Sequence, residues 1–291
     1  MEEPDVATLL ARCTFPPAGT AVTCAVSGGA DSTALLVLAC AAELDVTAAH
    51  VDHGLRPGSA READVVRTTA ERFGARFVGL RADLPPGPNQ EARARGERLR
   101  LLGPDALTGH TADDQAETLL INLLRGAGAA GLAAMIPGPT HPLLGLRRLE
   151  TEALCVSVGA DVVRDPTNDD PRFVRNRIRH EVLPLLADVS GRDVVPILNR
   201  TSRHLRSLDD GINGLAAGYD PSDTRELAAA PPLLARAALR RWLTDAEGHP
   251  PSSAELDRVM AVVRHDARAC ELSGGRTVTR SDGVLRLVET R

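Results

Sequence analysis

The stretch Ser27-Gly28-Gly29-Ala30-Asp31-Ser32 sets two glycines between two hydroxyls and an acid. Glycines let a backbone turn tightly and approach a ligand with no Cβ in the way. If a helix follows, its free N–H groups and positive dipole end point back at the turn, which makes an anion cradle. Asp31 could cap that helix or hold a magnesium ion on bound phosphates. A second cluster, His50-Val51-Asp52-His53-Gly54-Leu55-Arg56, puts His50 and Asp52 on one face of a strand end. The third runs from Thr108 through Gly109, His110, Thr111, Asp113 and Asp114 to Glu117 and Thr118. Asp114 and Glu117 stand three apart and Asp113 and Glu117 four apart, so the acids share one face of a helix. Acids and His110 together suit a cationic amino acid and a proton acceptor, although Thr111 with Asp114 also fits a capping box. A fourth block, Arg175-Asn176-Arg177-Ile178-Arg179-His180, spaces its arginines to bind phosphate oxygens or a carboxylate.

These clusters need a scaffold, and the hydrophobic pattern supplies one. Residues 20–26 form a short apolar and β-branched run, read as a buried strand that breaks at Ser27. Helical patterns follow at 33–44, 60–73, 89–102 and 111–124, and further strands are read at 46–51, 75–80 and 106–109. Strands alternating with helices predict a Rossmann-like parallel α/β sheet with helices on both faces. Such sheets bind ligands at the carboxyl ends of their strands, where each cluster falls or from which its helix starts. After about Arg175 helical patterns take over. Residues 207–223, with Gly211, Gly214, Gly218 and Pro221, read as a linker. Two or three helices follow within 225–265, and 276–288 reads as a hairpin turning at Ser281-Asp282-Gly283. The expected organisation is a catalytic domain over 1–206, a linker over 207–223 and a smaller, mainly helical domain over 224–291.

The hexapeptide at Ser27 resembles the Ser-Gly-Gly-x-Asp-Ser signature of the pyrophosphate-loop ATPases, which split ATP between the α and β phosphates and adenylate a substrate oxygen. The cluster at Thr108 resembles the T-G-H-x-x-D-D-x-x-E-T motif of the lysidine synthases within that superfamily. The likeness continues through Leu124-Arg125-Gly126-Ala127-Gly128, Gly131-Leu132, Pro142-Leu143-Leu144 and Arg147. His50 to Arg56 resembles their H-x-D-H-G-L-R stretch, and Asp165-Pro166-Thr167-Asn168 with Arg175, Asn176 and Arg179 resembles their D-P-T-N and R-N-x-x-R block. Glu91, Arg95 and Arg98 fit a further motif, in which Leu99 stands at the usual Tyr position. The likeness spans roughly residues 20 to 185.

The resemblance implies ligation of free lysine to the wobble cytidine of isoleucine tRNA with a CAU anticodon, through an adenylated cytidine. It implies ATP and Mg2+, with Ser27, Gly28, Gly29, Ala30, Asp31, Ser32, His50 and Asp52 at the nucleotide and Asp31 at the metal. Asp113, Asp114, Glu117, Arg175, Asn176 and Arg179 are expected to bind substrate. Asp31, His110, Asp114 and Glu117 are the expected catalytic groups, and a helical tRNA-binding domain is expected at the C-terminal end.

Composition narrows the alternatives. With 291 residues, 43 % of them apolar, the chain can bury two cores, and aromatics at 2 % leave the packing to Ala, Leu and Val. All 34 basic residues are arginine, which excludes a Walker A loop because that motif needs lysine. The five scattered cysteines fit a reducing cytosol, and their spacing matches no zinc or iron–sulfur site. That counts against a tRNA thiolase, the nearest enzymatic rival; a non-catalytic nucleotide sensor would have little use for the acid and arginine clusters. The acidic start and the lack of a long apolar run predict a cytoplasmic chain with no membrane span. Net charge is −5, yet residues 172–206 carry eight arginines against three acids, either a phosphate-binding stripe or a solvated helix face.

Overall fold

A computed structural model describes residues 5–52, 59–82, 90–163, 169–246 and 248–289. The chain divides into two compact units, 1–203 and 204–291. The first is built on a four-stranded parallel sheet in the order β3-β2-β1-β4: β1 Ala21–Ala25, β2 Asp45–Asp52, β3 Arg76–Arg81 and β4 Leu107–Thr108. Helix α1 (Val6–Leu10) precedes the sheet; α2 (Ala30–Ala41), α3 (Ser59–Arg72) and α4 (Gln90–Leu102) connect its strands. Right-handed crossovers carry α2 and α3 to one face as the chain steps outward from β1 to β3. The return from β3 to β4 reverses direction, so the same rule places α4 on the other face. The Rossmann-like reading therefore holds, and the reversal of strand order falls between β1 and β4, where open α/β sheets leave a crevice.

Helix α2 is buried from Ser32 through Ala39 because it is apolar on every side and lies within the main core, among Cys24, Val46, Leu107, Leu143 and Leu154. After β4 come α5 (Ala112–Leu124), α6 (Ala129–Leu132), α7 (Arg148–Ser157) and α8 (Val174–Arg177), then a π-helical turn over Ile178–Val182 and α9 (Leu183–Ser190). A smaller core joins Ala116 and Leu120 of α5 to Ile178, Leu183 and Val195.

The expected linker is in large part a helix. α10 runs from Val195 to Ala216, and the boundary between the units falls inside it. Leu198, Ser202, Leu205, Asp209, Ile212 and Ala216 form its less exposed stripe at helical spacing, whereas Gly211 and Gly214 face outward, where a missing side chain costs no packing. Each glycine costs about 1 kcal/mol of helix propensity, too little to end a helix of 22 residues.

The second unit continues with α11 (Thr224–Ala229), α12 (Pro232–Leu243) and α13 (Ser253–Val263), packed through Leu227, Leu239, Leu256 and Val259. Strands β6 (Arg276–Ser281) and β7 (Val284–Glu289) form the expected hairpin, with Asp282 and Gly283 both at positive φ. A further antiparallel strand, β5 (Ala269–Leu272), pairs with β6. Arg276 is 9 % exposed and donates to the Leu243 carbonyl at 2.7 Å, which closes the end of α12.

Candidate active site

The register Cys24 to Leu107 and Ala25 to Thr108 brings the carboxyl ends of β1 and β4 side by side. The turn after β1 and the Thr108-Gly109-His110 turn after β4 therefore meet. Gly109 is what lets them touch, because a Cβ there would sit 2.6 Å from the Asp31 carbonyl oxygen and 2.9 Å from the Ser32 nitrogen. Gly28 takes a φ of +93°, which a glycine adopts without strain. Ser32 Oγ donates to the Gly29 carbonyl at 2.9 Å and accepts from the Ser27 N–H at 3.2 Å, so the loop is tied across its own mouth. Ser27 is exposed and Ala30 starts α2, which leaves the loop's N–H side open to an anion.

His50 is 3 % exposed, and its ring Nδ1 lies 2.9 Å from the Val26 carbonyl, so it braces the strand that enters the loop. Asp52 ends β2, two strand positions along, and is partly exposed. His53 to Arg56 and residues 165–168 fall outside the described residues.

The acids do not form the vacant pocket that their spacing suggests. Each is matched by an arginine of the same chain, and Arg148 is the hub. It donates to Asp31 at 3.1 Å, Asp114 at 2.8 Å and Glu117 at 3.0 Å. Arg179 grips both Glu117 oxygens at 2.7 and 3.0 Å, and Arg175 lies 3.5 Å from the same carboxylate. Glu117 is fully buried under this load. Arg147 forms a bidentate pair with Asp113 at 2.9 and 3.0 Å and also contacts Asp193. Asp31, Asp113, Asp114 and Glu117, with Asp193 as a fifth acid at the edge, thus face four arginines. Asp114 additionally accepts from the Thr111 N–H and hydroxyl, both at 2.9 Å, which is the helix-start role that its sequence position allowed. Asn176 is buried and donates to the Asp170 carbonyl at 3.0 Å, so it fastens the entry to α8.

The basic block from 172 to 206 divides in two. Arg175 and Arg179 turn into the site, whereas Arg172 pairs with Asp170 and Arg177 with Glu181 on the outside.

Charge states follow from these contacts. Burial raises the Asp31 pKa, and Arg148 and Thr151 offset only part of that. Burial also opposes the Asp114 carboxylate, but Arg148 and Thr111 outweigh it and hold the group below its usual range. Burial likewise opposes the Arg148 cation, yet Asp114, Glu117 and Asp31 together raise its pKa. Burial drives the His110 pKa down to about 4 despite the nearby Asp114, so this imidazole is neutral at pH 7.

Arg148 and Thr151, which donates to Asp31, are site residues that motif spacing missed. A signal was nevertheless present. Arg147 and Arg148 occupy the start of α7, where the helix dipole disfavours cations, so their presence there pointed to a use elsewhere. Gln115 was also overlooked; its amide exchanges bonds with Ala133 and Met135 and pins the loop after α5.

Beside the arginine hub lies a cleft of about 200 Å³, walled by Asp113, Arg147 and Arg179 and floored by Leu183, Ala187 and Val195. The cysteines bring no reactive thiol to the site, although Cys155 Sγ donates to the Ala30 carbonyl at 3.4 Å. Burial pushes the Cys24 and Cys13 thiols up to about 12 and Cys155 to about 11, which leaves them protonated and poor nucleophiles. Among the described residues no three His, Cys, Asp or Glu side chains are grouped to hold a metal ion.

Comparison with known proteins agrees with this geometry. The chain matches the family model of the PP-loop domain over residues 3–186 and that of the TilS substrate binding domain over residues 223–286. The solved structure of the U34-tRNA thiolase NcsA from Methanococcus maripaludis superposes with a TM-score of 0.53, covering 69 % of this chain and 78 % of that one; at 15 % identity this speaks for the fold alone. The chain is 42 % identical over 239 residues to a tRNA(Ile)-lysidine synthase of Mycobacterium leprae, covering 75 % of this chain and 73 % of that protein. It is 41 % identical over 293 residues to a tRNA(Ile)-lysidine synthase of Nocardia farcinica, covering 95 % of this chain and 91 % of that protein. A likeness that runs through both units at this level of identity means that the chain belongs to the tRNA(Ile)-lysidine synthase family.

Proposed function

We propose that this protein ligates free L-lysine to the wobble cytidine of isoleucine tRNA bearing a CAU anticodon, using ATP and releasing AMP and pyrophosphate. The observation that carries this reading is the junction at Gly109, where an anion-binding loop abuts a buried cluster of acids and arginines. In the first step a cytosine oxygen attacks the α-phosphorus and the bond to pyrophosphate breaks. The backbone N–H groups of Gly28, Gly29 and Ala30, with the exposed Ser27 hydroxyl, receive the growing negative charge, while Ser32 holds the loop in shape. In the second step the ε-amine of lysine attacks the adenylated carbon and AMP leaves.

The four acids then act first as counter-ions. Asp114 and Glu117 hold Arg148 and Arg179 in fixed positions beside the loop, ready for phosphate or for the amino acid carboxylate. An incoming ammonium competes with these arginines for Asp113, Asp114 or Glu117. His110, neutral at pH 7, can accept a hydrogen bond from the amine that must lose its proton. Asp31 fits magnesium chemically, as a single carboxylate beside a phosphate loop, and Arg148 would have to release one of its oxygens. Magnesium bound there supplies charge neutralisation on the phosphates. The second unit, with its TilS substrate binding match, is the proposed tRNA-binding domain. No helix among the described residues is long and apolar enough to cross a membrane, in keeping with the proposed cytoplasmic site of action.

Nucleoside mass spectrometry tests the proposal. The protein is incubated with ATP, magnesium, lysine and isoleucine tRNA carrying a CAU anticodon. A cytidine bearing one lysine, formed only with ATP, is the expected product. Pyrophosphate release with unmodified cytidine would keep the adenylation and reject lysine.

A further inference from the structure

His110, the histidine of the Thr108–Thr118 motif, does not stand alone. The Thr108 hydroxyl lies 2.8 Å from His110 Nδ1 and 2.7 Å from His141 Nδ1, and 3.0 Å from the Thr140 carbonyl. The two imidazole rings meet edge to face, with centroids 5.1 Å apart and an interplanar angle of 84°. The backbone N–H of Thr108 donates to the same Thr140 carbonyl at 2.9 Å, which fixes residues 140 and 141 beside the end of β4.

Counting hydrogens decides the arrangement. A threonine hydroxyl has one proton to donate and two lone pairs to receive. The Thr140 carbonyl can only accept. All three contacts are satisfied together in one way: Thr108 donates to Thr140 and receives Nδ1–H from both His110 and His141. If Thr108 donated to either ring instead, its contact with the Thr140 carbonyl would be lost. From this geometry we infer that Thr108 and His141 are positioning residues: Thr108 locks His110 in the Nδ1–H tautomer, leaving its Nε2 unprotonated as the acceptor in the active site, and His141 holds the ring in place. His141 fills the second lone pair of Thr108 and its ring limits rotation of His110. Among the described residues no protein group bonds His110 Nε2, so this nitrogen is left for a ligand. Burial lowers the pKa of both rings, which keeps them neutral and makes the tautomer, rather than the charge, the variable. The other charged groups facing His110 are Asp114, Arg175 and Arg98.

The consequence for turnover rests on the proposed ligation, but the tautomer does not, so two readouts separate them. Long-range proton–nitrogen correlation on the full-length protein labelled with 15N-histidine reads the tautomer directly. His110 is expected to show a pyrrole-type Nδ1 and a pyridine-type Nε2, assigned by their loss in His110→Gln. A pyridine-type Nδ1 would overturn the inference. Thr108→Val keeps the shape and removes the hydroxyl, and His141→Phe keeps a ring and removes the donor. Thr108→Val should release His110 into a mixture of tautomers and Thr108→Ser should keep the single form, whereas His141→Phe should keep the Nδ1–H form and broaden the His110 signals as its ring gains freedom to rotate. An unchanged His110 spectrum in folded Thr108→Val would also overturn it. In the lysidine assay His141→Phe should lower kcat roughly tenfold with little change in KM for ATP, the low end of the range found when the group that orients a metal-bound imidazole is removed. Full kcat in that variant would refute the positioning role, whereas failure of the wild-type protein to form lysidine would bear only on the proposed function.

Discussion

Glu117→Gln isolates the electrostatic logic of the site, because it changes one atom in a fully buried group. In the native protein Oε1 accepts from Arg148 at 3.0 Å and Arg179 at 2.7 Å, and Oε2 accepts from Arg179 at 3.0 Å, with Arg175 at 3.5 Å. Glutamine can keep its oxygen toward the first pair only by turning its NH2 toward the second, so donor then faces donor. One charge-assisted bond is lost, about 1.5–3 kcal/mol, and three cations share one fewer anion. Breaking a buried ion pair by removing one partner costs about 3–5 kcal/mol, and we expect a loss in that range. For a unit of roughly two hundred residues this lowers the melting temperature by roughly 6–20 °C. Urea unfolding followed by far-ultraviolet circular dichroism measures the loss. Adding Arg179→Gln should return at least about 1 kcal/mol relative to the sum of the single changes. A loss below about 1 kcal/mol for Glu117→Gln, or strict additivity in the pair, would refute the view that the acids exist to hold the arginines.

Asp31 and Asp114 should respond in opposite directions. The folded pKa of Asp31 is raised, so its charge opposes folding above that pKa, and Asp31→Asn should leave the melting temperature at pH 7 unchanged or higher while removing turnover. The folded pKa of Asp114 is lowered, so its charge adds stability above the unfolded value, which is lost as pH falls through the folded one; Asp114→Asn should melt earlier at pH 7. Gly109→Ala should weaken ATP binding about tenfold by calorimetric titration and cost about 1–3 kcal/mol, because the new methyl meets loop backbone that must move. In the second unit, Glu255 accepts from the Ser273 N–H at 2.6 Å and from Ser252, which lowers its pKa from 4.5 to about 2. The resulting stability, up to about 3 kcal/mol, is present above pH 4.5 and fades toward pH 2; Glu255→Gln should flatten that slope as read by fluorescence of Trp242, the sole tryptophan.

The sequence by itself determined the scaffold and the loop. Alternation of β-branched runs with helical patterns is a local property, so the order of strands and helices from β1 to α5 could be read directly, as could the glycine turn after β1 and the turn at Asp282-Gly283; the short α1 (Val6–Leu10) was not read. The joint motifs by themselves point to the family. The interior of the active site was decided by tertiary structure. Spacing put Asp113, Asp114 and Glu117 on one helix face but could not reveal what that face meets, because Arg147, Arg148, Arg175 and Arg179 arrive from 31 to 62 positions along the chain. Hence a pocket expected to await a cation is already filled with arginines. The sequence also could not show that His50 braces a strand from within the core, or that His141 meets His110 across Thr108. The misread linker has the same cause, since Gly211 and Gly214 look like breakers until the fold shows that they lie on the outward face of α10. Local pattern follows from backbone geometry and from each residue's own preference for water; the pairing of buried charges depends on which distant segments the fold presses together.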